Sequence, residues 1–395
     1  MSAPLLRAAF INVGFLGHAA MADAMQDVTR LLPVDASHIN LSDALTIPDR
    51  LIRRALSVRL APTSGRYANL DRRRWRQELN IGLLARRRLK ASERGGAFDL
   101  LHFHTQAAAY ASLRRMERTP SIVSIDATSR LASAEMTSPA ARRSYAANIA
   151  RDARVFRRAR AIIATSAWAA ADLEDLQPEC ADRIHILPYP IRDVFDETWV
   201  AERTIRARRT PASPVRVLFM GGDFVRKGGV DLLDAWRAAG FGDRATLDLA
   251  TDWPIAPATL PRGARVVTGV RAFDAPWFDL WRDADVFVMP SRSEAFGIVF
   301  EEAAAAGIPA IGTAITAIPE VIVHDKTGLV VPAGDRDALV AALRALVDDV
   351  ERRVGMGRAA RARIRDRAFP PAYASRLGAI IERVMKGSAA AAPRA

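Results

Sequence analysis

Lys227 sits in Gly221-Gly222-Asp223-Phe224-Val225-Arg226-Lys227-Gly228-Gly229, between a short apolar run and a segment of helical pattern. Paired glycines let a backbone approach a ligand closely and aim its N–H groups at it. A lysine just before a helix adds an ammonium to the positive helix end, a combination that suits a phosphate. The bland reading is an ordinary turn with a basic tip. A second segment, Ser291-Arg292-Ser293-Glu294-Ala295-Phe296-Gly297, follows another apolar run, and Gly297 can leave a helix N-terminus open to a diphosphate or a sugar hydroxyl. Glu294 lies in this loop and Glu302 in the helix behind it. Ionised carboxylates accept hydrogen bonds strongly, so both suit vicinal hydroxyls. Glu301 points about 100° away from Glu302 and reads as a surface residue. A third segment, from Gly312-Thr313 through Thr316 to Glu320, is a Gly/Thr loop after a strand, where open α/β folds bind ligands.

The first half offers fewer such groups. Val13-Gly14-Phe15-Leu16-Gly17-His18 follows a first apolar run as a candidate glycine loop on the acceptor side. His102 and His104 lie at the end of a later run, with His104 at its C-terminal tip, a usual place for chemistry in such folds. Asp126 ends the next run and is the candidate border of an acceptor pocket.

These groups need a scaffold of strands. Apolar runs at 9–13, 100–103, 122–125, 161–164 and 184–187, then at 215–220, 245–250, 266–268, 286–289 and 310–311, alternate with helix-length stretches. That alternation reads as βαβ units feeding a parallel sheet, and it occurs twice. The expected organisation is an α/β chain with a first domain over 1–195, a basic Pro/Ser-containing linker over 196–214 and a second domain over 215–370. A C-terminal helix over 371–386 that packs back on the first domain and a disordered tail over 387–395 complete it. Asp335 is the expected N-cap of a helix over 336–347, a further helix covers 351–367, and Pro370-Pro371 breaks the chain before 373–385. The Lys326-Thr327-Gly328 element reads as a hairpin-like turn.

The order of the motifs carries more than any one of them. Residues 217–335 resemble the C-terminal domain of the retaining GT-B glycosyltransferases of family 4, also called group 1. The shared pattern is a Lys-Gly turn, Ser-x-x-Glu-x-Phe-Gly with a second Glu eight positions on, Gly307-Ile308-Pro309, the loop ending in Glu320, and Thr327-Gly328-Leu329-Val330-Val331-Pro332-Ala333-Gly334-Asp335. The resemblance implies two Rossmann-like domains whose parallel sheets face across a deep cleft, with a nucleotide diphosphate sugar as donor and neither metal nor cofactor. It implies that Lys227 holds the diphosphate, that Glu302 binds the ribose, and that Glu294 with Phe296 and Gly297 meets the donor sugar. Thr316 and Glu320 would lie close to the nucleotide or diphosphate. It also implies a role for His104 at the transferred sugar, which places His104, Lys227 and Glu294 in the reaction centre. Many relatives put an arginine directly after the first glycine of the turn. Here Gly222 stands there, with Asp223 next, and Arg226 is the candidate replacement.

A formal charge of +13, carried mostly by arginine, favours anionic partners. Arg72–Arg76 and Arg86–Lys90 flank Leu79, Leu83 and Leu84, the pattern of a basic amphipathic helix on an acidic membrane; 151–160 is a second basic run. Expected partners are therefore a nucleotide sugar, a glycan or lipid-linked acceptor and an acidic membrane surface. The expected location is cytoplasmic, peripheral on the inner membrane. The N-terminal run reads as a first strand rather than a leader. A sugar-nucleotide epimerase or phosphorylase is the rival enzyme class. A nucleic-acid-binding or purely interacting protein is the rival outside it, but no module that reads DNA or RNA is recognisable. One cysteine, Cys180, leaves no intrachain disulfide.

Overall fold

Short buried runs separated by helices form two parallel sheets in the computed structural model, which describes residues 5–14, 18–43, 45–60, 71–209 and 213–391. The first sheet contains β1 (Leu6–Asn12), β2 (Val34–Asn40), β3 (Leu100–His104), β4 (Ser121–Ile125), β5 (Ala161–Ala164) and β6 (Ile184–Ile186), in the order β2-β1-β3-β4-β5-β6. The second contains β7 (Val215–Met220), β8 (Ala245–Ala250), β9 (Ala264–Val267), β10 (Val286–Val288), β11 (Ala310–Thr313) and β12 (Gly328–Val331), in the order β12-β11-β10-β7-β8-β9. Neighbours pair in parallel throughout, and β3, β4, β5 and β10 are buried along their whole length, as helix-covered parallel strands are.

The chain divides into two units, Met1–Arg192 with Pro370–Ala395, and Asp193–Phe369. In each, the strand order reverses beside the first strand: between β1 and β3 in one, and between β7 and β10 in the other. Such reversals open a crevice at the C-terminal strand ends.

Several expectations need correction. β2 was not foreseen, because Val34–Asn40 alternates polar residues and is largely half-buried at the sheet edge. β12 is a strand where only a turn was expected; it pairs with β11 at the other sheet's edge. The expected linker holds a helix, Glu197–Arg209, inside the second unit, and 210–212 lie outside the described residues. Buried Arg361 ties this region down: its guanidinium bonds the Phe195 and Ala305 carbonyls and pairs with Asp193 and Glu197. Pro370 and Pro371 begin the last helix, Pro370–Ala391, rather than preceding it, because proline suits a first turn whose N–H groups lack helical partners. That helix packs on His18–Thr29 and runs past the expected end at 386, while 392–395 lie outside the described residues.

The basic helix Arg73–Ser92 differs from its expected role. Leu84 and Leu89 are buried, and Trp75 and Ile81 pack on the core, so its apolar stripe faces inward and only Leu83 stays half-exposed. The helix Ala146–Arg158 likewise buries Val155 and Phe156. It also buries Asp152, which joins Tyr110, Glu78 and Asn148 in a hydrogen-bonded cluster; burial pushes the Asp152 carboxyl up to about 7. No helix among the described residues is long and apolar enough to cross a membrane.

Candidate functional site

Three loops leave the C-terminal ends of β7, β10 and β11, which are adjacent strands, and contacts stitch them together. The first, 221–228, is folded by its own Asp223, whose backbone and side-chain oxygens accept from the N–H groups of Lys227 (2.9 Å) and Arg226 (3.2 Å). The second, 290–297, crosses directly over it. Arg292 N–H donates to the Arg226 carbonyl (2.9 Å), the Arg226 guanidinium donates to the Ser293 carbonyl (2.8 Å), and Arg292 grips Asp231 with two hydrogen bonds. Gly228 makes this crossing possible. Its φ is +75°, and a Cβ there would lie 1.9 Å from the Pro290 carbonyl oxygen.

At the crossing, the Lys227 ammonium pairs with the Glu294 carboxylate, and both side chains are mostly shielded, at 16% and 12% exposed. Burial first, and the Arg226 guanidinium second, push Lys227 down to about 8, with Asp223 pulling the other way. Arg226 itself is exposed and engaged with Asp223 and Ser293, so its guanidinium braces the loops. Gly221 stands against the Lys227 stem, and Gly222 faces open space.

Gly297 has φ +80° and begins the helix Ile298–Ala305; a Cβ there would strike the Phe300 ring. Phe296 is buried. Glu302 is half-buried by surface exposure, yet the surrounding protein holds its carboxyl up to about 8. Glu301 is not the surface residue expected: it is 2% exposed, and burial, partly offset by Arg367 and Arg363, raises it to about 8 as well.

The third loop is tied to the second through Thr313, whose hydroxyl donates to the Ser291 carbonyl (2.7 Å). It carries Thr316 in a left-handed conformation, φ +49°, unusual for a β-branched residue. Glu320 follows in the short helix Ile318–Val321, and its carbonyl accepts from both Arg363 and Arg367 at 3.0 Å. These two arginines were missed in the sequence; a basic segment well beyond the last motif, which ends at Asp335, gives no signal of where it points. Among the described residues, no group hydrogen-bonds the buried Ser291 Oγ or Thr316 Oγ1. Both hydroxyls lie on the loops of this site, one on the second and one on the third.

In the first unit, β1, β3 and β4 are adjacent and in register, with Asn12 opposite His104 and His104 opposite Ser124. Gly14, His104 and Asp126 therefore lie at the C-terminal ends of three neighbouring interior strands. Gly14 has φ +69° and packs against Ser42; His104 is buried edge-on to Tyr189. Thr105 beside it takes φ +73°. His102 points elsewhere: it is buried, hydrogen-bonds Ser124 Oγ (2.7 Å), and burial first, then His38, lowers it to about 4. It is a structural, neutral histidine. His18 opens the helix His18–Thr29, and Gly17 lies outside the described residues.

Residues 278–363 match the family described as glycosyl transferases group 1, and residues 49–193 match Glycosyltransferase Family 4. The chain is a relative of the GT-B glycosyltransferases. Its two Rossmann-like units have the GT-B fold, and the likeness to solved structures spans nearly the whole chain. Sucrose-phosphate synthase from Thermosynechococcus elongatus superposes with a TM-score of 0.71 at 17% identity, covering 97% of this chain and 100% of that one. Anabaena HepE in complex with UDP gives 0.66 at 15% identity, covering 96% and 100%. Sequence likeness is more local. D-inositol 3-phosphate glycosyltransferase of Pseudarthrobacter chlorophenolicus is 45% identical over 96 residues, 24% of this GT-B chain and 23% of the relative, so the match spans less than a quarter of that protein. Among the described residues, no group of three or more His, Cys, Asp or Glu is arranged to hold a metal.

Proposed function

We propose that this GT-B chain transfers a sugar from a nucleotide diphosphate sugar to a hydroxyl of a glycan or lipid-linked acceptor, with retention of anomeric configuration and without a metal. The observation that carries the reading is the crossing of two glycine loops that sets the shielded Lys227 against Glu294. In this reading the diphosphate takes the Lys227 ammonium and the loop amides. Glu294 turns to the sugar hydroxyls, and Glu302 accepts from the ribose. Breakage of the anomeric C–O bond leaves negative charge on the diphosphate, and a preorganised ammonium and amides lower its energy as it develops. Attack from the face that the diphosphate leaves gives retention. The unpartnered hydroxyls of Ser291 and Thr316 support a polar ligand here. His104, at the C-terminal end of β3 in the first unit, is proposed to take part in turnover.

The test is a screen of nucleotide sugars by calorimetry and product analysis, comparing the parent with Lys227→Ala and Glu302→Ala. Both changes are expected to weaken binding of the accepted donor by about 10- to 100-fold, the worth of a lost charge-assisted hydrogen bond. NMR of the product reads the anomeric configuration, and chelator leaves the rate unchanged. Unaltered binding and turnover in both variants overturns the assignment; an epimerised nucleotide sugar without transfer overturns the reaction class.

A further inference from the structure

The helix Ile47–Leu56 is attached to the first unit by the side that a soluble helix turns to water. Asp49 is buried, closes a capping box with Thr46 and pairs with Arg87 of the helix Arg73–Ser92. The turn behind it is held the same way: Ser57 Oγ accepts from Gln77 (2.9 Å) and the Val58 carbonyl from Arg76 (2.7 Å). Polar bonds thus fix this segment, with half-buried Leu56 beside Asp49 on the inner side, and its other apolar side chains are left outside. Ile47 is 74% exposed, Leu51 61%, and Ile52, Val58 and Leu60 are exposed beside them.

The spacing explains the arrangement. At 100° per residue, Ile47, Leu51, Ala55 and Ile52 occupy one half of the helix, and Asp49, Arg53, Arg50 and Arg54 the other. Asp49 marks the line facing the body, so the outer surface carries the apolar strip with arginines along its border. Arg50, Arg53, Arg54 and Arg59 are all exposed, while Asp49, the only acidic residue from 47 to 60, is buried in its pair with Arg87.

We propose that this helix and the turn to Leu60 dock in the plane of an anionic phospholipid bilayer, with the apolar strip among the acyl chains and the arginines at the headgroup phosphates. An exposed apolar face bordered by cations on a pinned helix fits an interface that is apolar below and anionic above. A soluble partner would need its own acidic rim, whereas an acidic membrane supplies the charge everywhere. The inference does not rest on sugar transfer.

Flotation of the full chain with vesicles of equal parts phosphatidylglycerol and phosphatidylcholine tests it. The parent is expected to float with these vesicles and not with phosphatidylcholine alone. The triple variant Ile47→Ser, Leu51→Ser, Ile52→Ser is expected to lose at least about tenfold in partitioning. Arg50→Gln, Arg53→Gln, Arg54→Gln together are expected to lose on the order of 100-fold. Since all six side chains are exposed, melting temperatures should match the parent, which separates lost docking from lost folding. Independently, Leu51→Trp should shift its emission to the blue on adding the anionic vesicles. Failure of the parent to float, equal flotation of the serine variant, or a parent dimer that the serine variant dissolves each overturns the proposal, the last by assigning the face to a second copy.

Discussion

Lys227 and Glu294 neutralise each other across two loops that leave adjacent parallel strands, and each is largely hidden from water. A cation proposed for a diphosphate is thus already occupied in the ligand-free protein. The donor has to exchange one anion for another at Lys227 while giving Glu294 new donors, and only a ligand carrying both phosphate and hydroxyl groups does both. Glu294→Gln keeps the shape and removes the competing charge. At pH 6.5 it is expected to bind inorganic diphosphate about fivefold tighter, since such a pair is worth on the order of 1 kcal/mol. Turnover of the sugar donor should fall at least about tenfold as hydrogen bonds to the carboxylate are lost. Unchanged diphosphate affinity by calorimetry contradicts competition within the pair.

Lys227 also sets a pH dependence. Its folded value, about 8, lies below the ordinary lysine range because burial disfavours the ammonium. Diphosphate binding needs that ammonium, so affinity should be flat below about pH 7 and fall as pH rises through 8, by about tenfold per unit above it. Lys227→Arg keeps its charge throughout and should flatten the profile up to pH 9.5 even if its affinity is lower. A parent profile flat to pH 9.5 excludes Lys227 as the phosphate cation.

Glu302 predicts the opposite proton traffic. With its carboxyl held up to about 8, about nine-tenths of the molecules carry a proton there at pH 7. Two ribose hydroxyls donating to it favour the carboxylate, so donor binding should release close to one proton at pH 7. Calorimetry in phosphate and in Tris, whose ionisation enthalpies differ, measures that number. Glu302→Gln should bring it near zero, whereas equal release from both proteins removes Glu302 from the ribose contact.

What the sequence made legible follows from where each residue's environment is decided. β5 and β10 were readable because both are apolar and buried along their whole length, as strands covered on both faces are. β2 was not, because an edge strand with a polar face loses that signal; β12 is apolar but only four residues long and begins within the Lys326-Thr327-Gly328 turn. The loop glycines were readable because Gly228 and Gly297 take left-handed backbone that few other residues tolerate. Glu301 was misjudged: its helix gives the angle to Glu302, but not that this helix packs on Val350–Arg365, a segment far downstream, with Glu301 buried. The direction of the Arg73–Ser92 apolar stripe was likewise hidden, since an amphipathic pattern does not say whether lipid or a protein core covers it.

Gly228 and Gly222 provide a matched pair for testing the crossing itself. A Cβ on Gly228 would occupy the position of the Pro290 carbonyl oxygen, and its φ of +75° strains any other L-residue by about 1–3 kcal/mol. Backbone, not a flexible side chain, is in the way, so Gly228→Ala must push the two loops apart and separate Lys227 from Glu294. Gly222 meets nothing within 4 Å, so an added methyl has room. Gly228→Ala is therefore expected to lower the melting temperature by several degrees and donor affinity by at least about tenfold. Gly222→Ala should leave stability within about 0.5 kcal/mol of the parent. If both variants melt with the parent and bind donor alike, the loops do not depend on their crossing, and the pairing of Lys227 with Glu294 is not what holds the phosphate site in shape.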